Sequence, residues 1–264
     1  MPHSLLAFVG GGHMASAIIG GMIKAGHPPQ RIVVAGRSAE SLQRLKSLYD
    51  VGTVIGADNI PAAATAVVLA VRPADAKAVC GRITINAPLI SVVAGLTLAQ
   101  MKQCAPNACA HIRAMPNTPA QVGKGMTALC APQADAKTRQ TADDIFAAVG
   151  KTLWLKDEKM MAAATAISGS GPGYVFYFAE ALEDAARQMG FDEAEARMLV
   201  LQTISGAATL AEQSGKTPQT LRENIAVPGG TTERAITLMR EQGFAKIIRA
   251  ATKASARRAR ELSD

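Results

Sequence analysis

The residues able to do chemistry lie in a few short stretches. The first is Leu5-Leu6-Ala7-Phe8-Val9, which runs straight into Gly10-Gly11-Gly12-His13-Met14-Ala15 and an apolar helical pattern. A Gly-x-Gly-x-x-Ala segment between a strand and a helix is the pattern that holds the pyrophosphate of a dinucleotide. Gly10 allows the tight turn, Gly12 lets the backbone approach the phosphates, and Ala15 keeps the helix close to the sheet. The helix start adds N–H groups that lack internal partners, together with the positive end of the helix dipole. His13 sits inside the loop, next to where the phosphates would lie; a partly solvated, non-catalytic histidine is the simpler reading of it.

The second strand chooses between dinucleotides. It ends Val33-Val34-Ala35-Gly36-Arg37-Ser38. An NAD enzyme places Asp or Glu about 20 residues beyond the glycines, to accept from the ribose 2′-hydroxyl. No carboxylate stands at this strand end. Arg37 instead offers a planar cation, and Ser38 a hydroxyl, to a 2′-phosphate. NADPH is therefore expected over NADH, the competing reading being a surface arginine beside a helix-capping serine.

Four further stretches carry recognisable patterns: Leu69-Ala70-Val71-Arg72-Pro73, Arg113-Ala114-Met115-Pro116-Asn117-Thr118-Pro119-Ala120, Ser168-Gly169-Ser170-Gly171-Pro172-Gly173-Tyr174 and Val227-Pro228-Gly229-Gly230-Thr231-Thr232. In the last, Gly229 and Gly230 bring bare backbone to a helix start, where a carboxylate gains hydrogen bonds without an arginine. A plain Pro-Gly-Gly turn with Thr231 as N-cap explains the same residues, and the local pattern leaves the two open. Four cysteines, at positions 80, 104, 109 and 130, form no Cys-x-x-Cys pair. No His or Cys cluster has zinc spacing, so no metal site and mostly buried, free thiols are expected.

Two kinds of element must position these stretches. Leu5–Val9, Arg31–Ala35, Val51–Ile55, Ala66–Val71, Leu89–Ala94, Ala110–Met115, Met126–Ala131 and Thr152–Lys156 read as strands. Helical patterns stand between the early ones, such as Met14, Ile18 and Met22, or Leu42, Leu45 and Leu48. Such alternation predicts an α/β fold with a doubly wound, largely parallel sheet of Rossmann type. After Lys156 the strand signal stops. Helices are expected over Met160–Ile167, Tyr174–Met189, Ala194–Ser214, Leu221–Ala226, Thr231–Arg240 and Phe244–Leu262. Asp192 with Glu195 forms a capping-box pattern, Thr217-Pro218 an N-cap with first-turn proline, and Gly190, Gly215 and Gly243 helix stops. The reading divides the chain into a dinucleotide-binding domain over 1–156 and a helical domain over 157–264.

In order and along essentially the whole chain, these stretches resemble the 1-pyrroline-5-carboxylate reductases of bacteria, Pro228–Thr232 most specifically. The resemblance implies a Rossmann domain followed by a helical substrate-binding and dimerisation domain. It implies reduction of pyrroline-5-carboxylate to proline with hydride from NADPH, NADH serving with lower affinity. By position it places cofactor contacts on Gly10, Gly12, His13, Met14, Ala15, Arg37, Ser38, Asn59, Ala70, Val71, Arg72, Pro73, Ala94 and Gly95, with Asn117 beside the nicotinamide. Substrate contacts fall on Gly229, Gly230, Thr231 and Thr232, and Thr232 is the catalytic hydroxyl. A homodimer is implied, in some members assembled into rings of dimers. The chain departs from the family pattern at Gly36 and His13, where Asn is frequent, at Val227, where Ser is usual, and at the charged pair Glu233-Arg234.

Composition narrows the remaining classes. Apolar residues make up 48% and charged residues 19% of 264 residues, the balance of a globular chain. No apolar run approaches the roughly 20 residues of a membrane span, and the start lacks a signal-like pattern, so a cytoplasmic location is expected. The net charge of +7 gathers in the last helix, on Lys246, Arg249, Lys253, Arg257, Arg258 and Arg260. No aromatic residues interleave with these cations, so a solvated helix face is expected rather than a nucleic-acid surface. Two alternatives stay in view, a Rossmann hydroxy-acid dehydrogenase and a non-catalytic NADPH sensor. The first needs a basic Lys or His that the motifs lack, the second an eroded Pro228–Thr232 segment.

Overall fold

The computed structural model describes residues 4–263. Eight strands form one sheet: β1 (Leu6–Val9), β2 (Ile32–Gly36), β3 (Gly52–Ile55), β4 (Ala66–Leu69), β5 (Leu89–Ser91), β6 (His111–Met115), β7 (Gly125–Cys130) and β8 (Gly150–Trp154). Their order is β3-β2-β1-β4-β5-β6-β7-β8. Every neighbouring pair is parallel except β6 with β7. All eight expected strands are present, with ends displaced by a few residues. β4 and β5 stop early, at Leu69 and Ser91, leaving Ala70–Pro73 and Ala94-Gly95 as loop.

The central strands are buried on both faces, as a sheet covered by helices on each side requires. Successive side chains of β1 enter different cores. Leu6 and Phe8 pack with Ile18, Ile19, Leu45 and Phe146, whereas Ala7 and Val9 pack with Leu69, Cys80, Leu89 and Met101. The covering helices are α1 (His13–Lys24), α2 (Ala39–Tyr49), α3 (Ala76–Cys80), α4 (Leu98–Cys104) and α5 (Ala136–Ala147). The α2 stripe is narrower than its spacing suggests, since Leu42 and Leu45 are buried but Leu48 is 59% exposed.

The rest is helical: α6 (Met161–Ala164), a π-helical turn over Thr165–Gly169, α7 (Gly171–Gln188), α8 (Glu193–Ser214), α9 (Pro218–Ile225), α10 (Thr231–Glu241) and α11 (Phe244–Glu261). Ser168–Tyr174 was expected to separate two helices. Ser170 alone does so, and α7 starts at Gly171 because Pro172 needs no N–H partner in a first turn. Asp192 and Glu195 cap α8 reciprocally, at 2.8 and 3.0 Å, and the Thr217 hydroxyl caps α9 at 3.1 Å. Gly190, Gly215 and Gly243 end their helices at φ of 100°, 64° and 74°.

The chain forms two compact units. One holds the described residues up to Ser170 together with those from Ala254; the other is Gly171–Lys253. In the first, Arg113 of β6 fastens the chain's last turn. It donates to Glu158 Oε1 at 2.9 Å and to Ser263 Oγ at 3.0 Å, while Glu158 Oε1 also accepts from Leu98 N at the start of α4. The cysteines are free, but only Cys80 and Cys130 are buried; Cys104 is half-buried and Cys109 exposed, so the expectation of mostly buried thiols holds for two of the four. Burial pushes the Cys80 thiol up to about 12, with Cys104 nearby adding to it, and raises Cys130 as well. Neither is a nucleophile at neutral pH.

Arg113→Met should leave the Glu158 carboxylate in place without its counter-charge. The side chains are 10% and 26% exposed, so the expected loss is about 2–3 kcal/mol, somewhat below that of a fully buried pair. Thermal unfolding measures it, with Glu158→Gln on the Met background restoring part of the loss.

Candidate active site

The backbone builds the centre of one cleft of the first unit. Gly10 turns the chain after β1 with φ of 103°, and a Cβ there would stand 2.4 Å from the Ala70 carbonyl oxygen. Only glycine fits that approach of β1 to the end of β4. Gly12, the N-cap position of α1, has nothing within 4 Å of a Cβ position. No side chain caps the helix there, so the first N–H groups of α1 face open space. Such a start accepts a phosphate directly. Ala15 is fully buried beneath it, and Met14 packs partly into the core. The cradle thus fits a pyrophosphate.

The cleft has a volume of about 350 Å³, and its lining includes Gly10–Gly12, His13, Arg37, Ser38, Ala70, Val71 and Arg72. Arg37 and Ser38 stand where β2 passes into α2. Ser38 caps α2, its hydroxyl accepting from Ser41 N at 3.3 Å. The Arg37 guanidinium is 68% exposed and donates to Asp75 at 3.0 Å; Arg72 reaches the same carboxylate oxygen at 3.1 Å. Pro73 opens the 3₁₀ turn that carries Asp75.

Other expected contacts stand apart from this lining. The Asn59 side chain donates to Ile55 O at 2.7 Å, closing the turn after β3. Ala94 and Gly95 line a separate small cavity with Arg113, Met115, Thr165 and Leu262. Gly95 has φ of 85°, and a Cβ there would be 2.3 Å from the Leu262 carbonyl oxygen. Asn117 is buried. It donates to Ser168 O and accepts from Met126 N, both at 2.9 Å, pinning the π-helical turn to β7.

In the second unit, Gly229 takes φ of 77° and Gly230 becomes the N-cap of α10, again with no side-chain cap. Thr231 is therefore the first helical residue rather than the N-cap. The Gly229 N–H already has a partner, Glu233 Oε2 at 2.6 Å. Thr232 is half-buried in the first turn.

Several neighbours escaped the sequence reading. A Cβ at Gly11 would stand 2.6 Å from Leu45 Cδ1, so α2 packs closely over this glycine. Arg44, Asp75 and Arg82 join the cleft lining. Arg44 had a local signal, lying on the first turns of a helix that starts at the cofactor strand. Asp75 and Arg82 had none, being brought in by the neighbouring crossover.

The sheet order β3-β2-β1-β4-β5-β6 with a glycine turn at β1 defines a Rossmann-type dinucleotide-dependent oxidoreductase. Residues 158–262 match the family model described as pyrroline-5-carboxylate reductase dimerisation, and residues 5–95 match one described as NADP oxidoreductase coenzyme F420-dependent. The chain is 39% identical to pyrroline-5-carboxylate reductase of Haemophilus influenzae, covering 99% of this chain and 98% of that one. It is 35% identical to pyrroline-5-carboxylate reductase 2 of Bacillus subtilis, over 98% and 95%. The solved structure of a pyrroline-5-carboxylate reductase from Coxiella burnetii superposes with TM-score 0.93 at 36% identity, over 99% of both chains. That of Plasmodium falciparum pyrroline carboxylate reductase with NADP bound gives 0.87 at 28%, over 100% of both. The chain belongs to the pyrroline-5-carboxylate reductase family.

The two loop glycines should fail differently. Gly10→Ala meets the Ala70 carbonyl and a positive φ, so its thermal midpoint should fall by several degrees, about 2–4 kcal/mol. Gly12→Ala meets no protein atom and should fold normally, yet fill the space of the phosphate and weaken cofactor binding by roughly 10-fold or more. Equal thermal midpoints with equal binding loss would refute this division.

Proposed function

We propose that the protein reduces the C=N bond of 1-pyrroline-5-carboxylate to L-proline with hydride from NADPH, the last step of proline biosynthesis. The observation that carries this reading is the likeness over the full chain, which includes both the open α1 start and the intact Pro228–Thr232 helix start. A division of labour follows, residues 1–156 holding the dinucleotide and 157–264 the substrate and the partner chain.

The cofactor supplies hydride and little else. Gly10, Gly12 and the first N–H groups of α1 hold its pyrophosphate; Arg37 and Ser38 hold the 2′-phosphate. Asn59, Ala70–Pro73, Ala94, Gly95 and Asn117 complete the contacts, Asn117 toward the nicotinamide. On the substrate side, the uncapped N–H groups of Thr231 and Thr232, with the bare backbone of Gly229 and Gly230, bind the carboxylate. The Thr232 hydroxyl orients the ring nitrogen. A threonine hydroxyl is too weak an acid to protonate the imine unaided, so the proton arrives with the iminium or through water. Most of the rate then comes from holding the two reactants in line.

The helical unit calls for a second copy. Of its described residues, only Ala179, Ala196 and Val200 are buried, while Phe176, Tyr177, Met198, Leu210 and Ile247 are more than half exposed. Apolar area on this scale is not left open on a monomer. The match of residues 158–262 to a dimerisation model supports a homodimer. Ile247 and Ile248 of α11 are 61% and 42% exposed within the chain. Among the described residues no helix is long and apolar enough to cross a membrane, and a cytoplasmic enzyme accords with this.

The direct test is to mix protein, NADPH and pyrroline-5-carboxylate and follow nicotinamide absorbance. No oxidation would sink the reading, and oxidation only with a 2-hydroxy acid's keto form would favour a dehydrogenase instead. Thr232→Val should lower turnover roughly 10- to 1000-fold while NADPH binding holds, and Thr232→Ser should keep more activity than the valine variant. Light scattering should find a dimer or a multiple of it, with an interface above roughly 2,000 Å². A fully active single chain at nanomolar concentration would contradict the assembly.

A further inference from the structure

The end of β2 carries no carboxylate, but the fold brings one to it. Asp75, in the 3₁₀ turn after β4, accepts from Arg37 Nη2 at 3.0 Å and from Arg72 Nε at 3.1 Å, both on Oδ2. Its side chain is 23% exposed and lines the same cleft as Gly10–Gly12. Arg37 and Arg72 are 68% and 76% exposed, so no apolar packing orients them; their shared carboxylate does. Among the described residues lining the cleft, four are arginines and Asp75 is the one acid.

A carboxylate so placed tells apart two ligands that differ at a single ribose oxygen. A 2′-hydroxyl donates a hydrogen bond to it, the contact by which NAD enzymes hold their ribose. A 2′-phosphate has no such proton at neutral pH, carries nearly two negative charges, and competes with Asp75 for the Arg37 guanidinium. We propose that Asp75 sets the balance between the two cofactors, holding NADPH affinity below what Arg37 and Ser38 alone would give and supplying the acceptor that keeps NADH usable. The inference rests on assigning this cleft to the nicotinamide dinucleotide, and it names the residue that tunes that site.

Asp75→Asn tests it, because the amide keeps the shape and the turn, whose main-chain bond from Asp75 N to Arg72 O is 3.0 Å. Calorimetric titration of the full-length protein with NADP⁺ and with NAD⁺ reads the effect without any substrate. The ratio of the two dissociation constants should move toward NADP⁺ by roughly 10-fold or more, NADP⁺ tightening and NAD⁺ weakening. Asp75→Ser, shorter and also neutral, should move it the same way, so a poorly folded Asn variant does not decide the matter. On an Arg37→Ala background the NADP⁺ gain from Asp75→Asn should shrink, since the contested guanidinium is gone. An unchanged ratio, or a shift toward NAD⁺, overturns the proposal; the latter would mean that Asp75 organises Arg37 for phosphate. Should the wild type bind dinucleotides but not reduce the imine, the reading of the substrate fails while this one is still judged by the titration.

Discussion

The helices from Gly171 to Lys253 have almost no core of their own, and much of the molecule's design follows from that. Three small or medium side chains, Ala179, Ala196 and Val200, are all that this stretch buries among the described residues. Its helices are well formed locally: α8 and α9 are side-chain capped, and glycines end them cleanly. Local signals of this size stabilise helix ends by about 1 kcal/mol each and do not hold helices together. The missing term is apolar burial, and a second copy of the same surface is the economical source of it. The turn at Pro228–Thr232 stands on this sparsely buried scaffold, whereas the glycine turn after β1 stands on a sheet complete within one chain.

Helix starts differ in how their N–H groups are closed. Ser38, Thr97, Asp135, Asp192 and Thr217 cap α2, α4, α5, α8 and α9 through their side chains. At α1 and α10 the N-cap is a glycine and no side chain intervenes. A capped start has its N–H groups satisfied internally; an uncapped one keeps them for a ligand. In the proposed reaction, α1 would hold the pyrophosphate and α10 the substrate carboxylate. Glu233 complicates the second. Its carboxylate already holds the Gly229 N–H at 2.6 Å, so a carboxylate bound there would share the turn with a resident negative charge.

Arg113 and Asn117 show how motif residues tie together parts of the first unit that lie far apart in the chain. Arg113 gathers Glu158 and Ser263, binding the chain's last turn to the sheet. Asn117 couples β7 to the π-helical turn just before α7, a distortion of the kind found near functional positions.

The eight strands, the helix stops at Gly190, Gly215 and Gly243, the caps at Asp192 and Thr217 and the glycine cradle were legible in the sequence, because each rests on local physics: side-chain periodicity, a backbone angle, a side-chain oxygen three residues from an N–H. The glycine turn also exposed the class of ligand, since few residues permit that approach of backbone to phosphate. The narrow stripe of α2, the antiparallel β7 and the exposure of Ile247 and Ile248 were not legible, for they depend on which neighbour an element meets. Nor were the pairs Arg37 with Asp75, Asn117 with Ser168 and Arg113 with Glu158, separated by 38, 51 and 45 residues. No periodicity links such partners. The strand order sets β2 and β4 on either side of β1, and only through that order does a carboxylate arrive beside the arginine of the cofactor rim.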